Sequence, residues 1–301
     1  MAYRRYLALA ALAVSASARA QDLSQVTVKV VPVAEGIYML QGGGGNIGLS
    51  VGADDAFMVD DQYAPMTSKV KAAIATVTQR PVRFLLNTHW HGDHTGGNEN
   101  MSGSGALIVA HDNVRKRMRA EQFIEALKQR VPASPAAALP IITFSESISF
   151  YVNGDSVRAL HVRDAHTDGD AIIFFQRANV VHMGDTFFNN AYPFIDLSSG
   201  GSVNGILEAV DKVLSMTDSS TKFIPGHGNL GTRADLVRYR DVVRSVRDRI
   251  AKMIADRKTM AQVIAAKPSQ EFDDQFGRGF INPETFVTTV YSSLTRATTK
   301  R

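Results

Sequence analysis

Apolar residues in this chain come first in short runs and then in steps of three and four, and the second half repeats that order. The runs at 26–31, 37–40, 47–51 and 56–59, broken by glycine and charge, predict strands of an antiparallel meander. Met66, Val70, Ala73, Ile74 and Val77 then recur at helical spacing. A largely apolar run at 82–86, interrupted by Arg83, predicts a buried strand, 107–110 another, and the basic segment 112–130 a helix. The proline- and alanine-rich stretch 132–140 reads as a surface loop or a lid. Further strands are predicted at 141–144, 148–152, 157–162, 171–175, 180–183 and 223–224. Val203, Ile206, Leu207, Val210, Val213 and Leu214 mark an amphipathic helix, and Leu236, Tyr239, Val243, Val246, Ile250 and Met253 a long one. A last helical region runs over about 283–298. Each half is thus a set of strands followed by helices, which favours two sheets packed face to face with helices outside.

Composition narrows this picture. With 301 residues, 45% hydrophobic and 21% charged, the chain can build one large core or two small ones. No polar linker separates two units and no sequence repeat is visible, so one domain over 21–301 is expected. The first twenty residues read differently. Arg4 and Arg5 precede an apolar stretch at 6–14 that is too short to span a membrane, and Ala18-Arg19-Ala20 supplies an A-x-A cleavage site before Gln21. A cleaved export signal is expected at 1–20, and with it a periplasmic or secreted location and no membrane attachment of the mature chain. Removing Arg4, Arg5 and Arg19 takes the formal net charge from +4 to about +1, so charge gives no support to a nucleic-acid partner. The chain has no cysteine, so disulfides cannot support it and any metal must be held by nitrogen and oxygen.

The chemistry is concentrated in His89-Trp90-His91-Gly92-Asp93-His94, directly after the strand at 82–86. No packed core calls for three imidazoles and a carboxylate within six positions, whereas zinc and its first-row neighbours suit them. Four donors exceed what one metal with an open position uses, so the motif suggests two metals, with His89 and His91 on one and Asp93 and His94 on the other. His166 and His227 stand in loops just after apolar strands, and Asp185 closes a strand with two oxygens able to bridge cations. His161 and His182, inside predicted strands, and His111, at a helix start, read as packing or local hydrogen-bonding residues. The glycines at 42–45 form a hairpin turn rather than a phosphate loop, since no helix follows. Phe187, Phe188, Tyr192 and Phe194 divide between an aromatic wall near the site and the core, and Phe272, Phe276, Phe280 and Phe286 between a pocket lid and a subunit contact.

His-x-His-x-Asp-His, a later His-Thr, a Gly-Asp at a strand end and a Gly-His after a short strand resemble, in order and separation, the motifs of the metallo-β-lactamase superfamily. The resemblance implies an α+β fold, a four-layer αββα sandwich with a dinuclear site at one edge. It implies that one zinc takes His89, His91 and His166, that the other takes Asp93, His94 and His227, and that Asp185 bridges them. Other divalent first-row metals suit the same donors. Asp60 is either the family's supporting aspartate or a turn-former. The implied activity is hydrolysis of an ester, thioester, lactone or cyclic amide of a small molecule, with Asp93 orienting the nucleophile. A true β-lactamase, a phosphodiesterase or nuclease, and a non-catalytic metal-binding protein are the alternatives. An aspartate at 185, and no lysine among the residues 186–190 that follow, fit the first reading better than a dedicated lactamase.

Overall fold

The computed structural model describes residues 22–299, so the expected export signal and its cleavage site lie outside the described residues. The chain opens with β1 (Lys29–Ala34), β2 (Ile37–Gln41), β3 (Ile47–Ser50) and β4 (Ala56–Val59), then α1 (Thr67–Ala75) and β5 (Val82–Leu86). After α2 (Gly92–Thr95) and α3 (Asn98–Ser102) come β6 (Leu107–His111), α4 (Asp112–Met118), a hairpin of β7 (Gln122–Ile124) and β8 (Gln129–Val131), and β9 (Ile142–Phe144). Strands β1 to β4 pair antiparallel in order, and β5, β6 and β9 extend that sheet in parallel.

A second sheet holds β10 (Ser147–Val152), β11 (Asp155–His161), β12 (Ala171–Phe175), β13 (Val180–His182), β14 (Lys222–Ile224) and β15 (Gly231–Thr232). Helices α5 (Val203–Ser215), α6 (Arg233–Ala255), α7 (Met260–Ala265), α8 (Asp273–Phe276) and α9 (Pro283–Thr299) complete the chain.

Period-two alternation sorts the side chains into layers. Phe57, Val59 and Leu86 point between the sheets and meet Val157, Ile173 and Phe175 of the second. The Phe57 ring lies edge-on to Phe150 at 5.0 Å and to Phe175 at 6.4 Å. Met58 and Leu85 point the other way, onto Val70 and Ile74 of α1 and Met101 of α3. On the far side Ile172, Phe174 and Val181 pack against Ile206, Val210, Val246 and Phe286 of α5, α6 and α9. The result is the expected αββα sandwich. Among the described residues no helix is long and apolar enough to cross a membrane.

Two expectations are corrected. The first strand starts at Lys29 rather than Val26, because the Lys69 ammonium binds the carbonyls of Leu23 and Val26 at 2.8 and 2.7 Å, drawing that segment onto α1. The helix expected over 112–130 stops at Met118. The Gln122 amide donates to the carbonyls of Arg117 and Ala120, and Ser134 N–H to that of Met118, so acceptors that a longer helix would use are taken. The rest of the segment is the β7–β8 hairpin, closed by a turn with Lys128 left-handed at φ 51°.

Candidate metal centre

The ends of several strands release their loops toward one edge of the sandwich. The β5 loop carries His89 and His91, and α2, which follows, carries Asp93 and His94. The β11–β12 loop carries His166, a 3₁₀ turn after β13 carries Asp185, and the loop after β14 carries His227. His89, His91, His166 and Asp185 converge with all donor atoms within 4.8 Å of one another, and so do Asp93, His94 and His227. The structure thus brings together every ligand residue that the resemblance implies, in the implied grouping. Asp185 faces both clusters: Oδ2 lies 3.6 Å from His166 Nε2 and 3.9 Å from His89 Nε2, while Oδ1 lies 3.1 Å from His94 Nε2 and 3.5 Å from His227 Nε2. Asp93 Oδ2 lies 3.2 Å from His227 Nε2.

Hydrogen bonds made by the other ring nitrogens assign the tautomers. His166 Nδ1 donates to the Phe194 carbonyl at 2.7 Å, and His91 Nε2 donates to Asp196 Oδ2 at 3.0 Å. His166 Nε2 and His91 Nδ1 are then bare, yet they face each other at 2.9 Å. Thr88 Oγ1 donates to Asp60 Oδ2 and accepts from His89 Nδ1, which leaves His89 Nε2 bare, buried and without a hydrogen bond. Asp185 Oδ1 is equally buried and without a hydrogen bond, although the His94 and His227 rings face it. Three lone pairs and a carboxylate crowded together repel unless a cation lies among them. The donor set therefore fits a divalent metal.

The electrostatics agree. Burial drives the His89 imidazole well below the usual histidine range and His166 down to about 4, so both stay neutral, as ligands must. Burial raises the Asp93 carboxyl, but His94 and His227 outweigh it and hold it at about 2. Burial disfavours a charged His227, but Asp185 and Asp93 lift it to about 9. A cation seated on His227 must therefore displace a proton.

Supporting side chains hold these donors. Asp60 is buried with φ 61°, and it accepts from Thr88 N–H, Thr88 Oγ1 and His94 Nδ1, each at 2.7 Å. That geometry makes it a positioning residue for His94. Asp196 also accepts from the N–H groups of Ser198 and Ser199, and Ser199 Oγ accepts from Trp90 Nε1 at 3.1 Å. Sequence reading missed Asp196 and Thr88. The Asp-Leu-Ser-Ser-Gly run signals a turn, but nothing in it points to His91, over one hundred positions away.

The remaining histidines stay outside the centre. His111 Nδ1 accepts from Asn113 N–H, His161 Nδ1 bonds the Asp170 carbonyl, and His182 Nε2 bonds the Asn46 carbonyl.

The 42–45 turn joins β2 to β3 beside α2. A Cβ on Gly45 would stand 2.3 Å from His94 Nε2, and one on Gly226 would stand 2.0 Å from Asp185 Oδ1. Gly45→Ala is expected to push the His94 ring aside and weaken metal binding by about 10–100-fold, comparable to losing an outer-shell partner. Isothermal titration of the metal-free protein with zinc measures this, and an unaltered isotherm would show that the turn yields instead.

A cavity of about 540 Å³ opens over His91, Asp93, Asp185 and His227. Phe188, Tyr192 and Phe194 line it, whereas Phe187 turns into the core against Tyr239. Of the four C-terminal phenylalanines only Phe280 reaches the cavity; Phe276 and Phe286 are core and Phe272 packs against it. The β7–β8 hairpin supplies Ile124, Leu127, Gln129 and Val131 to the facing wall.

Comparisons with known proteins agree with this geometry. The family model of the metallo-beta-lactamase superfamily matches residues 40–256. A hydroxyacylglutathione hydrolase of Nitrosococcus oceani is 26% identical over 157 residues, covering 50% of this chain and 52% of that protein. The chain thus spans about half the length of that relative. The lactamase-like protein aptB of Emericella nidulans is 22% identical over 278 residues, 91% of this chain and 76% of that one. Among solved structures, the DIM-1 metallo-beta-lactamase superposes with a TM-score of 0.59 at 16% identity, covering 73% of this chain and 99% of its own; this is a likeness of fold.

Proposed function

The chain belongs to the metallo-β-lactamase superfamily, and on that premise we propose that it is a dinuclear metal-dependent hydrolase acting on an ester, thioester, lactone or cyclic amide. The observation that carries this reading is the convergence of bare imidazole nitrogens around a two-faced Asp185 at the floor of a cavity. His89, His91 and His166 would hold one cation, Asp93, His94 and His227 the other, with Asp185 shared. Zinc suits a donor set of imidazole and carboxylate without thiolate. When bound, such a pair polarises a carbonyl and brings the pKa of water from 15.7 to about 7.

The chain's own residues do the rest. Asp93, charged and open to the cavity, would accept a hydrogen bond from the attacking water and so orient it. Asp60 and Asp196 keep His94 and His91 in their tautomers and rotamers. The aromatic wall excludes bulk water from the reacting carbonyl. The hydroxyacylglutathione hydrolases among the relatives support a thioester or related acyl bond as the target. The arginine-flanked apolar N-terminal run supports action outside the cytoplasm.

Two measurements test the reading. Chelation followed by gel filtration is expected to abolish hydrolysis, and zinc to restore it. A panel of aryl esters, thioesters, homoserine lactones, nitrocefin and bis-p-nitrophenyl phosphate is expected to show turnover of acyl substrates. Turnover of the phosphodiester alone would transfer the protein to the phosphodiesterase class. Inactivity of the fully loaded protein on the whole panel would leave a metal-binding role without catalysis.

A further inference from the structure

Beyond the metal ligands, the cavity has an unusual electrostatic character. Among the described residues, none of the side chains lining it is a lysine or an arginine. The walls are Ile124, Leu127, Val131, Phe188, Phe194 and Phe280, with Tyr63 and Trp90 at the sides. Three arginines near the wall are held in ion pairs, Arg130 with Glu121 at 2.6 Å, Arg296 with Glu125 at 2.7 Å and Arg278 with Asp274 at 3.6 Å, and Lys128, exposed at the hairpin turn between Leu127 and Gln129, is not among the lining side chains. A carboxylate on a substrate, once beyond reach of the metals, would meet rings, aliphatic chains and the uncharged amides of Gln129 and Asn189, with no lysine or arginine among the lining side chains.

The same cavity gathers side chains that a soluble surface normally avoids. Tyr63, Leu127 and Phe280 are three of the seven large hydrophobics left exposed among the described residues, and Phe280 is 71% exposed. Exposed apolar side chains that line one cavity above the donor clusters mark a surface that a ligand covers. About 540 Å³ accommodates a small molecule with an apolar arm.

Building on the hydrolase reading above, we propose that the substrate is an uncharged acyl compound whose apolar part lies against Leu127, Val131, Phe194 and Phe280, and that the site discriminates against acyl compounds carrying a second, anionic group. The residues that would hold the metals, His91, Asp93, Asp185 and His227 at the cavity floor, set the position of the scissile carbonyl. The hairpin and the 277–282 segment take the remainder.

The test uses two esters that differ only at the distal end, p-nitrophenyl hexanoate and the mono-p-nitrophenyl ester of adipic acid. With the zinc-loaded full chain, kcat/KM is expected to favour the hexanoate by about tenfold, since the adipate end sets a carboxylate against a half-open apolar wall with no cationic partner. Leu127→Lys, at a partly exposed position, is expected to raise turnover of the adipate ester by about tenfold and to lower that of the hexanoate. Phe280→Ala is expected to raise KM for the hexanoate with kcat little changed.

A binding readout runs alongside. N-phenyl-1-naphthylamine, an uncharged probe bright in apolar surroundings, is bound to the zinc-loaded protein and competed with hexanamide or with the monoamide of adipic acid. Displacement by hexanamide only, weakened in Phe280→Ala, supports the proposal even if neither ester is cleaved, an outcome that removes the hydrolase reading instead. Equal kcat/KM for the two esters, or equal displacement by the two amides, overturns it.

Discussion

Replacing Asp185 with alanine is expected to lower bound metal from two equivalents towards one and to cut hydrolysis by more than about 100-fold. The geometry explains the size. Each Asp185 oxygen faces a different donor cluster, Oδ2 towards His89 and His166 and Oδ1 towards His94 and His227. Losing an outer-shell partner costs about 10–100-fold in affinity or activity, and loss of a shared donor should exceed that. The side chain is buried, and alanine leaves four imidazoles facing one another without the anion that separates them. Elemental analysis after exhaustive dialysis decides the matter. Two equivalents retained by Asp185→Ala would mean that this carboxylate is not shared.

Asp60→Ala carries the second large effect, on stability as well as on metal. Asp60 is fully buried and accepts three hydrogen bonds, so its removal strands Thr88 N–H, Thr88 Oγ1 and His94 Nδ1 away from water. Removing one partner of a buried charged pair costs about 3–5 kcal/mol. The backbone adds to this, because φ 61° is tolerated by aspartate and asparagine but costs alanine about 1 kcal/mol. Asp60→Asn keeps that tolerance and is expected to recover part of the stability while still misdirecting the His94 tautomer. Urea unfolding of the chelated protein isolates the structural share, and zinc titration of the folded variants the metal share. Wild-type stability in chelated Asp60→Ala would refute the supporting role assigned here.

Much of the architecture could be read from the chain before any coordinates. Strands at 56–59 and 171–175 have the expected bounds because each is a continuous apolar run buried along its whole length, a pattern that local sequence carries by itself; the strand at 82–86 also keeps its bounds, although Arg83 is exposed and only Leu85 and Leu86 are fully buried. The metal donors were legible for a different reason: imidazole and carboxylate have no cause to cluster in a core. The hairpin at 122–131 was not legible. Its arginines, glutamines and isolated apolar residues suit a solvated helix equally well, and the turn depends on Gln122 and Ser134 reaching back to the helix end. Asp196 was invisible because its partner His91 becomes a neighbour only after the two sheets have closed. The two readings of Asp60, supporting group or turn-former, prove compatible: its left-handed backbone turns the chain while its carboxylate grips His94.

His89, His91, Asp93 and His94 hang from the first sheet, whereas His166, Asp185 and His227 hang from the second. Any cation shared between them rivets the two halves of the sandwich together. In a chain without a single cysteine, that rivet takes the place a disulfide would occupy. At a free-metal concentration a thousand times its dissociation constant, it would contribute about 4 kcal/mol to the folded state. The catalytic floor and the principal cross-link of this molecule would then be one object, and starving the protein of metal would loosen its seam as well as silence its chemistry.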